Sequence, residues 1–106
     1  MAVLTRFYSE LRGWPIAKQD PGGAVLDLGE GVGYLSIQHN PDYVRPEWPA
    51  TAGRQQMMLH LDFQVAELDA AVAHALALGA ELPSHQPQED VRVLLDPAGH
   101  PFCLYV

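Results

Sequence analysis

Polar and apolar side chains alternate almost perfectly between Met57 and Val65, in the segment MMLHLDFQV. Successive side chains of a strand point to opposite faces, so the alternation predicts a strand with one apolar and one polar face. The apolar face carries Leu59, Leu61, Phe63 and Val65. The polar face carries His60, Asp62 and Gln64. We expect the apolar face to pack on a helix, which turns the polar face towards a site.

Apolar residues recur at helical spacing in two other segments, 3–11 and 68–76. A glycine follows each of them, Gly13 and Gly79, as is typical of a helix C-terminus, and the two glycines are 66 residues apart. We interpret the apolar segments after each helix as strands, at 14–19, 24–28, 33–40, 81–85, 91–95 and 102–106. The chain is thus predicted to be a duplicated β-α-β-β-β unit without its very first strand, an α+β fold.

Residues 41–56 contain three prolines and show no apolar periodicity. We interpret this segment as a linker arm between module one, residues 1–40, and module two, residues 57–106, of a single domain spanning 1–106. Large aromatic side chains in an irregular arm need something to cover. Trp48 therefore either anchors the arm by packing or stacks on a bound ligand.

Composition and charge narrow the class of protein. The chain has 106 residues, 48% of them hydrophobic, and 13 acidic against 6 basic residues give a net charge of −7. The basic residues are scattered, which argues against a nucleic-acid partner. The longest apolar run is far shorter than the roughly 20 residues that cross a membrane, and no signal-peptide pattern opens the chain. The lone Cys103 has no partner for an internal disulfide, so we expect a cytoplasmic protein.

Four strings resemble the vicinal oxygen chelate superfamily, in its glyoxalase-like and bleomycin-resistance-like branch. They are RFYSELRGW at 6–14, PDYVRPEWP at 41–49, HLDFQVAELDAAVAHALALGA at 60–80 and VRVLLDPAGHPFCLYV at 91–106. The resemblance implies the glyoxalase/bleomycin resistance/dioxygenase fold, in which two β-α-β-β-β modules curve around a cavity. It also implies a homodimer. The strand missing from module one strengthens that expectation, because a second subunit, a shifted arm or an earlier start of the chain must cover the open sheet edge.

The alternation argument also assigns side chains to the inner, polar face of the sheets. In the strand 91–95 we take Val91, Val93 and Leu95 as packed, which turns Arg92 and Leu94 inward. In the last strand we take Phe102, Leu104 and Val106 as packed. The predicted ligand-binding residues are Tyr34, Ser36, Gln38, Trp48, His60, Asp62, Gln64, Arg92, Cys103 and Tyr105. Apolar walls with a few convergent polar groups are typical of a small-molecule site.

The resemblance implies four inward His and Glu positions that bind a divalent metal ion in the enzymes of the superfamily. By position, His60 matches one of these ligands, whereas Cys103 and Ser36 stand where carboxylates belong, and the fourth ligand belongs to the missing strand. A set of His, Cys and Ser is a poor site for Mg, Mn, Fe or Ni. We therefore expect no metal cofactor. If one divalent ion does bind, His60 is the residue that holds it.

Three functions stay open at this point. The leading hypothesis is metal-free binding or sequestration of a small organic molecule, as in the resistance-type members of the superfamily. The second is a metal-dependent glyoxalase-like or dioxygenase-like enzyme that uses His60. The third is a metal-free lyase or isomerase with His60 and Asp62 as acid and base. A His60→Ala variant separates them, because it abolishes catalysis in the last two cases and only weakens binding in the first.

Overall fold

The computed structural model describes residues 2–106, which form two helices and six strands. In chain order they are α1 (Ala2–Arg12), β1 (Ile16–Asp20), β2 (Gly23–Asp27), β3 (Tyr34–Gln38), β4 (Leu61–Gln64), α2 (Leu68–Ala77), β5 (Val91–Leu95) and β6 (Pro101–Tyr105). The chain divides into two compact units, one ending at Tyr43 and the other beginning at Val44. Each unit combines one helix with a three-stranded sheet, so the prediction of an α+β protein is confirmed. Neither helix is long and apolar enough to cross a membrane.

The first unit joins α1 to an antiparallel sheet of order β1-β2-β3. Gly13 follows the helix at a φ of +72°, a conformation that glycine adopts without strain. Phe7 on α1 and Leu26 on β2 are fully buried. Because Leu26 pairs with Leu35, and paired residues share a face, Leu35 belongs to the buried face of the sheet. The alternation predicted for β3 is therefore confirmed, and Tyr34 lies on the face opposite to Leu35.

The second unit contains α2 and a sheet of order β4-β6-β5. β4 is parallel to β6, and the long connection that a parallel pair needs contains α2 and β5, whereas β5 is antiparallel to β6. The face of this sheet with the large apolar side chains is formed around Phe63, Leu94, Phe102 and Leu104, all buried. Burying each such side chain contributes roughly 1.5–3 kcal/mol to folding.

Asp96 organises the connection between β5 and β6. Its side chain is 1% exposed. Its Oδ1 accepts hydrogen bonds from the backbone N–H groups of Ala98 and His100, both at 2.9 Å, and its Oδ2 lies 2.9 Å from Nδ1 of His100. These bonds hold the turn closed and thereby set where β6 begins.

The strand predicted over residues 57–65 is shorter in the structure, because its partner β6 is short. Leu61 pairs with Phe102 at the start of the ladder, and β6 begins only one residue earlier, at Pro101. Residues before Leu61 would have to pair with the closed turn, which offers no extended backbone. Leu59, predicted to pack, is therefore exposed. Val106, beyond the other end of the ladder, is exposed as well.

The strand predicted over residues 81–85 is reduced to one bridge, between Glu81 and Leu95. Pro83 has no N–H to donate to a ladder. The side-chain amide of Gln86 takes the place of a neighbouring strand. Its Oε1 accepts from the N–H of Val93 at 2.8 Å, and its Nε2 donates to the carbonyl oxygen of Val93 at 2.9 Å.

The predicted orientation of β5 was wrong. Arg92 pairs with Leu104 and Leu94 pairs with Phe102, so both lie on the large apolar face of the sheet rather than on the polar face. The segment VRVLL is apolar at every position except Arg92, so alternation carried little information about which face is which. The Arg92 guanidinium instead donates to the carbonyl oxygen of Glu89 at 2.7 Å, which ties down the preceding loop.

Candidate functional site

Three of the predicted site residues meet on one face of the second sheet. Asp62 in β4 pairs with Cys103 in β6, which places their side chains on the same face. His60 immediately precedes β4, and its Nε2 lies 2.8 Å from Oδ1 of Asp62. One ligand atom from each side chain lies within 4.8 Å of the other two. We call these three residues the His60 cluster; the register between β4 and β6 builds it.

Cys103 is the buried member of the His60 cluster, with 6% of its surface exposed. Burial, the negative charge of Asp62 and a hydrogen bond to Asp62 together raise the pKa of the thiol to about 11. The thiol therefore keeps its proton at neutral pH and donates a hydrogen bond to the Asp62 carboxylate. Since the thiolate is the reactive form of cysteine, Cys103 serves here as a hydrogen-bond donor and not as a nucleophile.

His60 has a buried ring nitrogen, Nδ1, that the described residues do not use. When Nε2 holds a proton and donates to Asp62, Nδ1 is a bare acceptor. This atom is buried and has no hydrogen-bond partner among residues 2–106. A buried polar atom without a partner costs roughly 1–3 kcal/mol. Because the atom is buried, a hydrogen-bond donor of a ligand would reach it, and remove that cost, only after a movement of the side chain.

The His60 cluster does not fit the hard divalent ion that the enzymes of the superfamily bind. It offers three ligand atoms instead of four, and one of them is a cysteine sulfur where a hard ion prefers oxygen. Asp62 accepts from both neighbours, and its half-exposed carboxylate keeps further acceptor positions. Thiolate and imidazole also prefer softer ions than Mg or Mn. Within the His60 cluster, Asp62 is hydrogen-bonded to Nε2 of His60 and to the thiol of Cys103, whereas Nδ1 of His60 has no partner among the described residues.

In the first unit, the predicted residues Tyr34, Ser36 and Gln38 share the second, exposed face of β3. Tyr34 is 66% exposed. Ser36 and Gln38 line an open depression of about 300 Å³ on this face, together with Lys18. The prediction that these side chains avoid the helix face is confirmed, whereas their part in ligand binding stays a prediction.

Sequence analysis missed Lys18, which was counted only among scattered basic residues. Lys18 pairs with Val25, and Val25 pairs with Ser36, so all three lie on the same face of the sheet. A β-bulge between Ile16 and Lys18 shifts the register of β1. Alternation counted along the sequence does not reveal such a shift, so only the pairing shows where Lys18 points.

The other predicted site residues divide into two groups. Gln64 pairs with Tyr105 and lies with it on the same face as the His60 cluster. Trp48, in contrast, packs against His85, with ring centroids 5.7 Å apart, and its indole N–H donates to the His85 carbonyl oxygen at 3.3 Å. Trp48 therefore anchors the arm, and Arg92 lies on the opposite face of the sheet.

Comparison with known proteins supplies the family. A family profile for the glyoxalase-like domain matches residues 1–105. The chain belongs to the glyoxalase-like family. This confirms the resemblance inferred from the sequence and the predicted fold class. No curated protein matches the chain significantly.

Solved structures of three proteins illustrate the glyoxalase-like fold. A glyoxalase/bleomycin resistance protein/dioxygenase family enzyme from Burkholderia phytofirmans is 23% identical, with a TM-score of 0.69, over 97% of this chain and 87% of that chain. A glyoxalase family protein from Enterococcus faecalis is 22% identical, with a TM-score of 0.68, over 100% and 88%. The fosfomycin resistance protein FosX from Mesorhizobium loti is 15% identical, with a TM-score of 0.69, over 99% and 80%. At these identities the likeness establishes the fold, and any activity has to be inferred from the residues of the site.

Proposed function

We propose that this glyoxalase-like protein binds a small organic molecule at the His60 cluster without a metal ion. The observation that carries the proposal is the buried, unpartnered Nδ1 of His60 beside the Asp62 carboxylate. Together these groups present an acceptor and a negative charge, which suit an amine or another ligand group that donates hydrogen bonds. The net charge of −7 favours a cationic ligand in the same way.

Each sheet, taken by itself, carries exposed polar side chains that we propose as further ligand contacts. In the second unit these are Gln64 and Tyr105, which extend the face of the His60 cluster. In the first unit they are Tyr34, Ser36 and Gln38, the last two of which line the open depression. Side chains of this kind orient a ligand by hydrogen bonding, whereas Tyr34 offers an aromatic surface for packing.

We also propose a resistance-type role, in which a cytoplasmic homodimer sequesters a toxic small molecule. One structural relative, FosX, is named a fosfomycin resistance protein, which supports a protective role for the fold. The buried, protonated thiol of Cys103 suits a reducing compartment, because nothing in the described chain pairs with it in a disulfide.

Thermal denaturation with matched probes tests the proposal. Aromatic amines and aromatic carboxylates of the same size form two panels, and only the amines are expected to raise the Tm. Titration calorimetry of the best amine should show binding weakened roughly tenfold in His60→Ala, the loss of one charge-assisted hydrogen bond. His74→Ala is the control, since His74 is an exposed histidine of α2 that lies outside the proposed ligand contacts. Carboxylates that bind as well as amines would contradict the assignment.

Elemental analysis of protein purified without a histidine tag tests the metal-free part of the proposal. We expect less than stoichiometric metal, and no rise in Tm with Ni, Mn, Fe, Zn or Mg. Stoichiometric metal that disappears in His60→Ala, but not in Gln64→Ala, would overturn this part and favour a metal-dependent glyoxalase-like or dioxygenase-like enzyme.

The 2.8 Å contact between His60 and Asp62 favours one alternative, a metal-free lyase or isomerase. An imidazole oriented by a carboxylate is the usual pair for moving a proton. In that case a bound amine would be turned over, and His60→Ala would lower kcat by about 100-fold or more while His74→Ala left it unchanged. Binding without turnover supports the sequestration role instead.

A further inference from the structure

A gap among the side chains of the first sheet forms the floor of the open depression. Gly23 in β2 pairs with Asp20 in β1 on one side and with Gln38 in β3 on the other. Paired residues share a face of a sheet, so a position without a side chain lies between two polar side chains. All three residues line the depression of about 300 Å³, together with Lys18 and Ser36 of the neighbouring row.

Space, and not backbone conformation, requires a glycine at position 23. A Cβ there would lie 2.6 Å from the carbonyl oxygen of Ile37, closer than real Cβ atoms approach a neighbour. The φ of Gly23 is outside the positive range that favours glycine. A side chain therefore cannot fill the gap unless the backbone moves, and a strand glycine of this kind is typical of a place where a ligand approaches the backbone closely.

The carboxylate of Asp20 is held in place at one rim of the depression. Its Oδ1 accepts hydrogen bonds from the backbone N–H groups of Gly22 at 2.8 Å and Gly23 at 3.1 Å. Its Oδ2 lies 3.9 Å from Nζ of Lys18, an ion pair that is too long for a hydrogen bond. Because the carboxylate is already fixed, it loses little conformational freedom when a ligand binds, and Oδ2 is still able to accept.

The other three polar side chains of the depression keep their hydrogen-bond donors. Lys18, Ser36 and Gln38 are exposed, and none of the three donates a side-chain hydrogen bond to a residue among 2–106. The depression thus offers an ammonium group, a hydroxyl, an amide and one carboxylate oxygen. The charges of Lys18 and Asp20 cancel, so the depression suits a ligand that carries both signs of charge rather than one.

We propose that the depression binds the zwitterionic head group of a small α-amino acid. The ligand ammonium group pairs with Oδ2 of Asp20, and the ligand carboxylate pairs with Lys18 and the hydroxyl of Ser36. Both charged groups of an α-amino acid are attached to one carbon atom, so they match the short separation of 3.9 Å between Lys18 and Asp20. The inference rests on the proposed ligand contacts at Ser36 and Gln38 and does not involve the His60 cluster.

The charge and the size of such a ligand also fit the first unit. An α-amino acid has no net charge, so the net charge of −7 of the chain does not repel it. An amine alone would meet Lys18 as a like charge, and a carboxylate alone would meet Asp20 in the same way. A volume of about 300 Å³ is at the lower end of the range for small-molecule pockets, which favours a ligand with a small side chain.

Amide NMR titration with three forms of alanine tests the inference. Alanine carries both charges, alaninamide only the ammonium group and N-acetylalanine only the carboxylate, and all three have the same side chain. We expect alanine to shift the amide signals of Gly22, Gly23 and Ser36 until they saturate. Each blocked form should bind roughly tenfold more weakly, because it loses one attraction and meets one like charge. Blocked forms that bind as well as alanine, or signals that alanine leaves unchanged, would overturn the inference.

Two variants that each remove one charge should act in opposite directions on the blocked forms. Lys18→Gln should weaken alanine binding roughly fivefold and strengthen that of alaninamide, since it removes a like charge. Asp20→Asn keeps an Oδ1 that accepts from the turn, and it should weaken alanine binding by a similar factor and strengthen that of N-acetylalanine. Arg6→Gln and Asp27→Asn are the matched controls, since both remove a charge of the first unit outside the depression. Equal effects in the variants and their controls would contradict the proposed pairing.

The same titration separates this inference from ligand binding at the His60 cluster. Alanine binding should be unchanged in His60→Ala, whereas the aromatic amines that test the His60 cluster should lose affinity. If alanine instead shifts the signals of Asp62 and Cys103 and loses affinity in His60→Ala, it binds at the His60 cluster and the inference is wrong. If the amines do not bind but alanine shifts the signal of Gly23, the proposed His60 site fails and the depression is supported.

Discussion

Replacing Cys103 by alanine should change how the stability of this protein depends on pH. The pKa of the thiol is raised from 9.0 to about 11 in the folded protein. The folded state therefore holds this proton more tightly than the unfolded state does. The resulting stabilisation is fully present below pH 9 and is lost as the pH rises through 11.

The magnitude follows from the size of the shift. Two pKa units at 1.36 kcal/mol each correspond to roughly 3 kcal/mol. Asp62, which contributes to the shift, has a side chain that is 58% exposed, and solvent screens such a charge. We therefore expect wild type to lose about 2 kcal/mol of its free energy of unfolding between pH 9 and pH 11, beyond the loss seen in Cys103→Ala.

Urea denaturation at intervals of half a pH unit measures this difference. Subtracting the two curves removes the titration of the tyrosines and of Lys18, which is common to both proteins. Asp62→Asn is the intermediate case, since it keeps the burial of the thiol but removes the neighbouring charge, and its pH-dependent loss should be smaller than that of wild type. Parallel curves for wild type and Cys103→Ala would refute the raised pKa and with it the protonated thiol of the His60 cluster.

Three further predictions concern the second unit and the glycines, and urea denaturation checks each of them. Asp96→Ala leaves two backbone N–H groups of the turn without their acceptor, which should cost about 2–4 kcal/mol, whereas a loss under 1 kcal/mol would show that water replaces the carboxylate. Phe102→Ala empties a fully buried site and should cost about 3–5 kcal/mol. Gly99→Ala places a Cβ against the Arg45 side chain, whereas Gly31→Ala meets only the strain of a positive φ. Gly99→Ala should therefore lower the free energy of unfolding more than Gly31→Ala does. Equal losses would contradict the contact with Arg45.

The sequence predicted an element best where neighbouring residues mark both its interior and its ends. The helix that begins at Leu68 and ends before Gly79 has both an apolar period and a glycine at its end, and the structure places α2 over Leu68–Ala77. The last two strands were located to within one residue, because charged or turn-forming residues flank each of them. The polar alternation of His60 and Asp62 identified two of the three residues that meet in the His60 cluster.

Strand ends and strand faces were less predictable, because they depend on partners that are remote in the sequence. The segment 57–65 has the pattern of a nine-residue strand, but its ladder ends where β6 gives way to the turn at Asp96. Arg92 was assigned to the wrong face, since the surrounding residues are apolar on both sides. Lys18 was overlooked because a bulge changes its direction.

The sequence by itself determined the α+β class, the family, the positions of the helices and the residue types available for chemistry. These follow from local periodicity, from the glycines and prolines that end helices and strands, and from composition. All three can be evaluated without knowing the partner of a strand. Only the tertiary structure decided that Asp62 lies between His60 and Cys103, that the Cys103 thiol keeps its proton, and that Nδ1 of His60 has no hydrogen-bond partner among residues 2–106. Those properties depend on register, burial and hydrogen bonding between segments about 40 residues apart, which arise only when the second sheet has formed.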